Sequence, residues 1–163
     1  MTGKGDIPMT KRLLFFVLLI SPLLMANEPV STSFWTNIAI GGHDSLGYYQ
    51  PGLSNSEATI KGSPKYKVVW QGAHWQFASQ ESADKFAQNP KKYAPRYNGH
   101  CANALSLDLG LINTDGSVWE FFGDRLHLFY AERGRLRWLE GDWQAFQADA
   151  DKAWLKALKE AED

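Results

Sequence analysis

The stretch YKVVWQGAHWQFAS, Tyr66 to Ser79, constrains the fold of this 163-residue chain more than any other. It holds two short runs dense in Val, Trp and Phe, Tyr66–Gln71 and His74–Ala78, joined at the turn dipeptide Gly72-Ala73. β-Branched and aromatic residues suit a pleated, half-buried surface, and two such runs around a tight turn predict an antiparallel hairpin. Ser79 then caps a helix, with Glu81 in its favourable first turn and Ala83, Phe86 and Ala87 on one face. Asn89-Pro90 ends that helix, because the residue before a proline avoids the helical region.

The rest of the chain repeats these signals. SVWEFFGDRLHLFYA predicts a second hairpin turning at Gly123-Asp124, and Cys101–Leu107 opens a short helix. From Glu132 the chain is helical, broken near Gly141, and Asp142 caps a last helix. There Trp143, Phe146, Ala150, Ala153, Trp154, Ala157 and Leu158 form one apolar stripe. Before the first hairpin, NIAIGGHDSLGYYQPGLSNSEATIKGSPKY alternates short apolar pieces with turn residues and reads as a short strand and a long loop. The predicted fold is α+β: small antiparallel strands and hairpins packed with helices, and a long C-terminal helix.

The first 26 residues read as a signal peptide. Lys11 and Arg12 precede the apolar run Leu13 to Met25, interrupted by Pro22, and Ala26 is a small residue suited to cleavage. The run is shorter than the ~20 apolar residues of a spanning helix, so cleavage is expected over an uncleaved anchor. Met9 would serve as an alternative start, and no lipobox cysteine marks a lipoprotein. The expectation is a periplasmic chain of one domain, residues 27–163. Three of the 17 basic and one of the 18 acidic residues precede Asn27, leaving 14 against 17. Without a basic run, nucleic acid is a poor partner.

Chemistry narrows to one unusual residue. Cys101 is the only cysteine, so it has no internal disulfide partner, and it directly follows His100. A free cysteine is often a small buried hydrophobe, yet an exposed thiol in an oxidising compartment risks oxidation. The chain lacks C-x-x-C, which excludes dithiol exchange by this chain alone, and C-x-x-C-H, which argues against c-type haem. Phosphate-binding loops and a serine-hydrolase elbow are missing too, so no nucleotide is expected.

Residues 61–102 resemble the YHS domain in its exported, single-domain branch, which includes selenoprotein-like members. The features are Trp75-Gln76-Phe77-Ala78-Ser79 at the strand end, a short helix with Phe86, Asn89-Pro90 followed by Tyr93-Ala94-Pro95, and Gly99-His100-Cys101-Ala102. GGHDSLGYY and FFGDRLHLFY, with Trp138 and Trp154, extend the resemblance over nearly all of residues 27–163. YHS domains attached to copper-transporting ATPases resemble small metal-binding modules that use a cysteine pair at the strand-to-helix junction. Here Ala78 and Gln80–Ser82 stand in those places, so such a pair is excluded. In the exported branch the notable cysteine corresponds to Cys101, which implies reactivity more than packing.

Where that family more often places tyrosine, this chain has His43, His100 and His127. With Cys101 and Asp44 they would make a metal site for copper or zinc, if the fold brings them together. No local ligand spacing supports it. His100 next to Cys101 also reads as an ordinary satisfied polar residue, Asp44 as a turn acceptor, and His74 as an exposed turn residue. His127, alternating with Leu126 and Leu128, faces away from them, to solvent or into a cleft.

Three functions therefore stand side by side. One is a periplasmic metal-binding module using Cys101 with His100, His43, His127 and Asp44. Another is a thiol-based enzyme, with Cys101 as nucleophile, a histidine as base and Asp44 as orienter. The third is a non-catalytic binding domain for a protein or small ligand, presenting Trp and Tyr.

Overall fold

A computed structural model gives the fold; it describes residue 1, residues 27–50 and residues 59–162. The expected signal peptide, apart from residue 1, lies outside the described residues, as do residues 51–58. Strands β1 (Ser63–Trp70) and β2 (Ala73–Phe77) pair antiparallel, with Trp70 opposite Ala73. The turn is Gln71-Gly72, one residue earlier than the dipeptide Gly72-Ala73. Both turn residues have positive φ, 50° and 71°, the paired left-handed geometry that matches strand twist in two-residue hairpins. Ala73 is 2% exposed and packs in the core, so it is not available to the turn.

Helix α1 (Gln80–Gln88) starts on Ser79 as expected, whose Oγ accepts the Ser82 N–H at 3.1 Å. Ala83 and Phe86 reach the core, whereas Ala87 is exposed. Phe86 meets Trp75 and Phe77 with ring centroids 4.9 and 5.0 Å apart. Asn89 closes α1 and caps the single turn α2 (Pro90–Tyr93) by accepting the Lys92 N–H. A 3-10 turn, Arg96–Gly99, then leads to α3 (Ala102–Ser106), capped by Cys101.

Strands β3 (Val118–Phe122) and β4 (Arg125–Phe129) form the second hairpin around Gly123-Asp124, where the sequence placed it. Helix α4 (Glu132–Glu140) follows, and α5 (Trp143–Glu162) begins where Asp142 Oδ1 accepts the Ala145 N–H at 3.1 Å. The second hairpin divides the interior. Trp119, Leu126 and Leu128 join Ile40, Trp75, Phe77 and Phe86 in one cluster. Phe122 and Phe129 join Trp138 and Ala150 in another, against which Trp143, Phe146, Ala153 and Trp154 pack. Each large apolar side chain so buried contributes roughly 1.5–3 kcal/mol. The architecture is α+β, two antiparallel hairpins packed with helices and a long C-terminal helix.

His74 corrects an expectation: it is half-buried, with Nδ1 enclosed. The preceding chain lies along β2, where His74 N–H donates to Asn37 O and Ala39 N–H to His74 O, both at 2.9 Å. Among the described residues no helix is long and apolar enough to cross a membrane.

Candidate functional site

The loop that delivers Cys101 is built from unusual backbone. Tyr97, Asn98 and Gly99 have φ of 57°, 49° and 86°, and a left-handed non-glycine residue costs about 1–2 kcal/mol. Anchors offset this. Tyr97 Oη donates to Asp151 Oδ1 at 2.8 Å, and Asn98 Nδ2 donates to Glu28 Oε2 at 3.0 Å and Pro29 O at 3.2 Å. Thr114 Oγ1 donates to Gly99 O at 2.7 Å. Gly99 is obligatory: a Cβ there would lie 2.4 Å from Ile40 Cγ2.

After this turn His100 and Cys101 are both extended (ψ 154° and 111°), so their side chains diverge. Cys101 bridges to Leu128 of β4, and its N–H donates to Ile112 O at 2.9 Å. Its Sγ accepts two backbone N–H groups, from Ala104 at 3.4 Å and Tyr130 at 3.3 Å. The sulfur is thus held from two directions by rigid backbone. It is 4% exposed and lines an open cavity of about 510 Å³ with Ala104, Leu109, Ile112, Tyr130 and Arg133. Leu109 and Tyr130 are 64% and 70% exposed, so the mouth is largely apolar, with Asn103 and the exposed Arg133 as its polar members. The arrangement can present sulfur as an electron-pair donor to an apolar ligand; among the described residues that line the cavity none is a histidine, aspartate or glutamate.

The histidines point elsewhere. His100 places Nδ1 on Tyr97 O at 3.0 Å, with its ring 6.0 Å from that of Trp154, and burial pulls its pKa below the ordinary imidazole value. His43 places Nδ1 3.1 Å from Ile40 O beside Tyr48, and burial lowers its pKa too. His127, fully buried, donates through Nδ1 to its own strand at Arg125 O, 2.9 Å; Nε2, among the rings of Tyr97, Phe122 and Trp138, has no partner among the described residues. Loss of hydration, chiefly, takes its pKa down to about 4. Asp44 uses Oδ1 on Leu46 N–H (2.9 Å) and Oδ2 on Ala78 N–H (3.0 Å), fastening the upstream loop to the end of β2.

Among the described residues no group of three or more His, Cys, Asp or Glu side chains could hold a metal ion. The expected set of Cys101, His100, His43, His127 and Asp44 is therefore not one centre. Nor does the structure assemble a Cys–His–Asp relay. The physical reason is local: each imidazole is tethered through Nδ1 to a backbone carbonyl on a different element, and both Asp44 oxygens are committed to amides.

A second cleft escaped the sequence reading. It encloses about 250 Å³ beside the strained turn, bounded by Trp70, Lys91, Arg96, Arg125, Asp151 and Trp154. Arg96 forks onto Asp151, with Nη2 2.8 Å from both oxygens and Nε 3.2 Å from Oδ1. These residues come from β1, α2, the 3-10 turn, β4 and α5, so no sequence spacing announces them. The only signal is the cations on either side of the turn.

Residues 57–97 match the family model of the YHS domain. No curated protein and no solved structure matches the chain. The matched span covers β1, β2, α1, α2 and the start of the strained turn, and stops before Cys101. The segment from 57 to 97, a tight hairpin followed by a capped helix and an Asn-Pro turn, is a YHS domain.

Proposed function

We propose that this chain is a thiol-centred binding module, in which Cys101 meets an electron-poor, apolar ligand in the cavity beside α3. The observation that carries the reading is the pair of N–H groups converging on Sγ at the edge of an apolar pocket. The Ala104 N–H is the capping bond of α3, whereas the Tyr130 N–H reaches Sγ from just beyond β4 and is not accounted for by the cap. The thiolate is the form that attacks electrophiles, and access is what separates reactive from inert cysteines.

The association of YHS domains with metal binding supports a second reading. A thiolate is a soft ligand suited to copper(I) or zinc. On this chain Cys101 would be one donor and the others would come from a partner or solvent, since the five residues do not gather. The apolar run at 13–25 supports export to the periplasm.

The test is alkylation of native protein with N-ethylmaleimide, followed by intact mass, beside Cys101→Ser. Single labelling of the folded wild type within minutes supports the thiol reading. Labelling that waits for urea would make Cys101 a packing residue and end it. Titration of the same two proteins with copper(I) and zinc decides the metal reading: stoichiometric binding lost in Cys101→Ser supports it, and binding of equal strength in both removes Cys101 as ligand.

A further inference from the structure

We propose that the cleft between the 3-10 turn and α5 binds a small carboxylate carried on a planar apolar body. Arg125 is its carboxylate anchor, and Trp70 and Trp154 are its walls. The site is distinct from the Cys101 cavity and shares no lining residue with it.

The cleft holds more cations than carboxylates. Its lining carries three cations, Lys91, Arg96 and Arg125, and two carboxylates, Glu28 and Asp151. Both carboxylates are engaged. Asp151 is held by the Arg96 fork and by Tyr97 Oη, and Glu28 Oε2 accepts Asn98 Nδ2. Arg125 has no such partner among the described residues. It makes one long bond, Nη2 to Ala94 O at 3.4 Å, and its Nε is buried with no acceptor. Stripping a guanidinium of water without returning an acceptor is unfavourable. A ligand carboxylate would give Arg125 what Asp151 gives Arg96, a planar fork of charge-assisted bonds. Lys91, exposed at the rim and also unpaired among the described residues, adds attraction at entry.

The remaining lining sets the body of the ligand. Trp70 and Trp154 offer indole surface, and Pro95 adds an apolar wall. The volume of about 250 Å³ falls below the ~300–1,000 Å³ of drug-sized pockets, which limits the guest to about one ring and its carboxylate. Trp70, Lys91, Pro95 and Arg96 all belong to the YHS segment, so that segment contributes most of the site and β4 and α5 complete it.

Benzoate is the probe, with benzamide as its neutral counterpart and inorganic phosphate as an anion without a ring. Each is titrated into the full chain while the indole N–H signals are followed by NMR. Benzoate is expected to shift Trp70 and Trp154 saturably and to bind about tenfold or more tighter than benzamide, the ratio of one charge-assisted pairing. Arg125→Gln should lose about tenfold and Lys91→Gln about two- to fivefold. Equal binding of benzoate and benzamide, phosphate competing as well as benzoate, full affinity in Arg125→Gln, or no saturation by benzoate would each overturn the proposal. Should Arg125→Gln fail to fold, the benzoate-to-benzamide ratio and Lys91→Gln decide the matter.

Discussion

The first hairpin has one buried face and one wet face: Trp75 and Phe77 on β2 are 1% and 0% exposed, while Val69 on β1 is 62% exposed. The second hairpin is covered twice. Along β4, Leu126 and Leu128 meet the cluster shared with the first hairpin, while Phe129 and the ring of His127 meet Trp138 and Phe122 on the other side. A strand between two clusters couples them, so damage on either side of β4 should be felt globally. Damage to the outer face of β1 should not.

The strongest way to test that contrast is Trp138→Ala. Trp138 is fully buried and its ring contacts Phe122, Phe129 and Phe146. Removing an indole from a packed core costs about 3–5 kcal/mol, a large fraction of the stability of a domain this size. Urea unfolding followed by far-UV circular dichroism should show a midpoint reduced steeply or a chain no longer folded. A loss below about 1 kcal/mol would mean that α4 only rests on the hairpin.

His127 sharpens the comparison through pH. Its neutral form is favoured in the fold, with the pKa lowered from 6.5 to about 4. The unfolded chain therefore binds the proton first. The contribution of His127 is complete above pH 6.5, is lost as pH falls through the window from 6.5 to 4, and is gone below it. The shift corresponds to roughly 3 kcal/mol over that window. His127→Phe should flatten this part of the stability profile. At pH 7 it should cost no more than about 1 kcal/mol, the Nδ1 bond to Arg125 O, because the apolar ring also replaces an Nε2 with no partner among the described residues. An equally steep acid loss in His127→Phe would transfer the effect to His43 or His100, whose pKa values burial also lowers.

Asp44 tests how the open end of the first hairpin is tied down. Asp44→Ala releases two backbone N–H groups, of Leu46 and Ala78, for an expected loss of about 1–3 kcal/mol in urea titration. Asp44→Asn keeps one acceptor oxygen and should fall between the two. Wild-type stability in Asp44→Ala would show that water replaces the carboxylate without cost.

Local periodicity explains why the hairpins, the Ser79 cap and the α5 stripe were legible in the sequence. Turn dipeptides, alternation and i+3/i+4 spacing act within a few residues, whereas the turn sits at Gln71-Gly72, one residue earlier than its dipeptide, because Ala73 fills the core. RLHLFY was harder. Alternation alone gives His127 a face opposite Leu126 and Leu128, but it does not say whether a second layer covers that face. The site was least legible. His100 and Cys101 are neighbours in sequence, and only the left-handed Tyr97 and Asn98, followed by two extended residues, separate their side chains. Arg96, Arg125 and Asp151 meet from three distant elements, which no spacing encodes.

The mildest test lies on the wet face of the first hairpin. Val69 stands opposite His74 in the β1–β2 register and is largely solvated, so Val69→Thr keeps the β-branch and exchanges a methyl for a hydroxyl that water can reach. Strand preference is nearly preserved and little apolar area changes its environment, which predicts a shift within about 0.5 kcal/mol. The same exchange at a doubly covered position would bury an unpaired hydroxyl, at a cost of about 1–3 kcal/mol. If Val69→Thr destabilised the chain by more than about 1 kcal/mol, the outer face of β1 would have to be covered in solution. The asymmetry between the two hairpins would then reflect a surface that meets a partner, and the single-layer reading of the first hairpin would be abandoned.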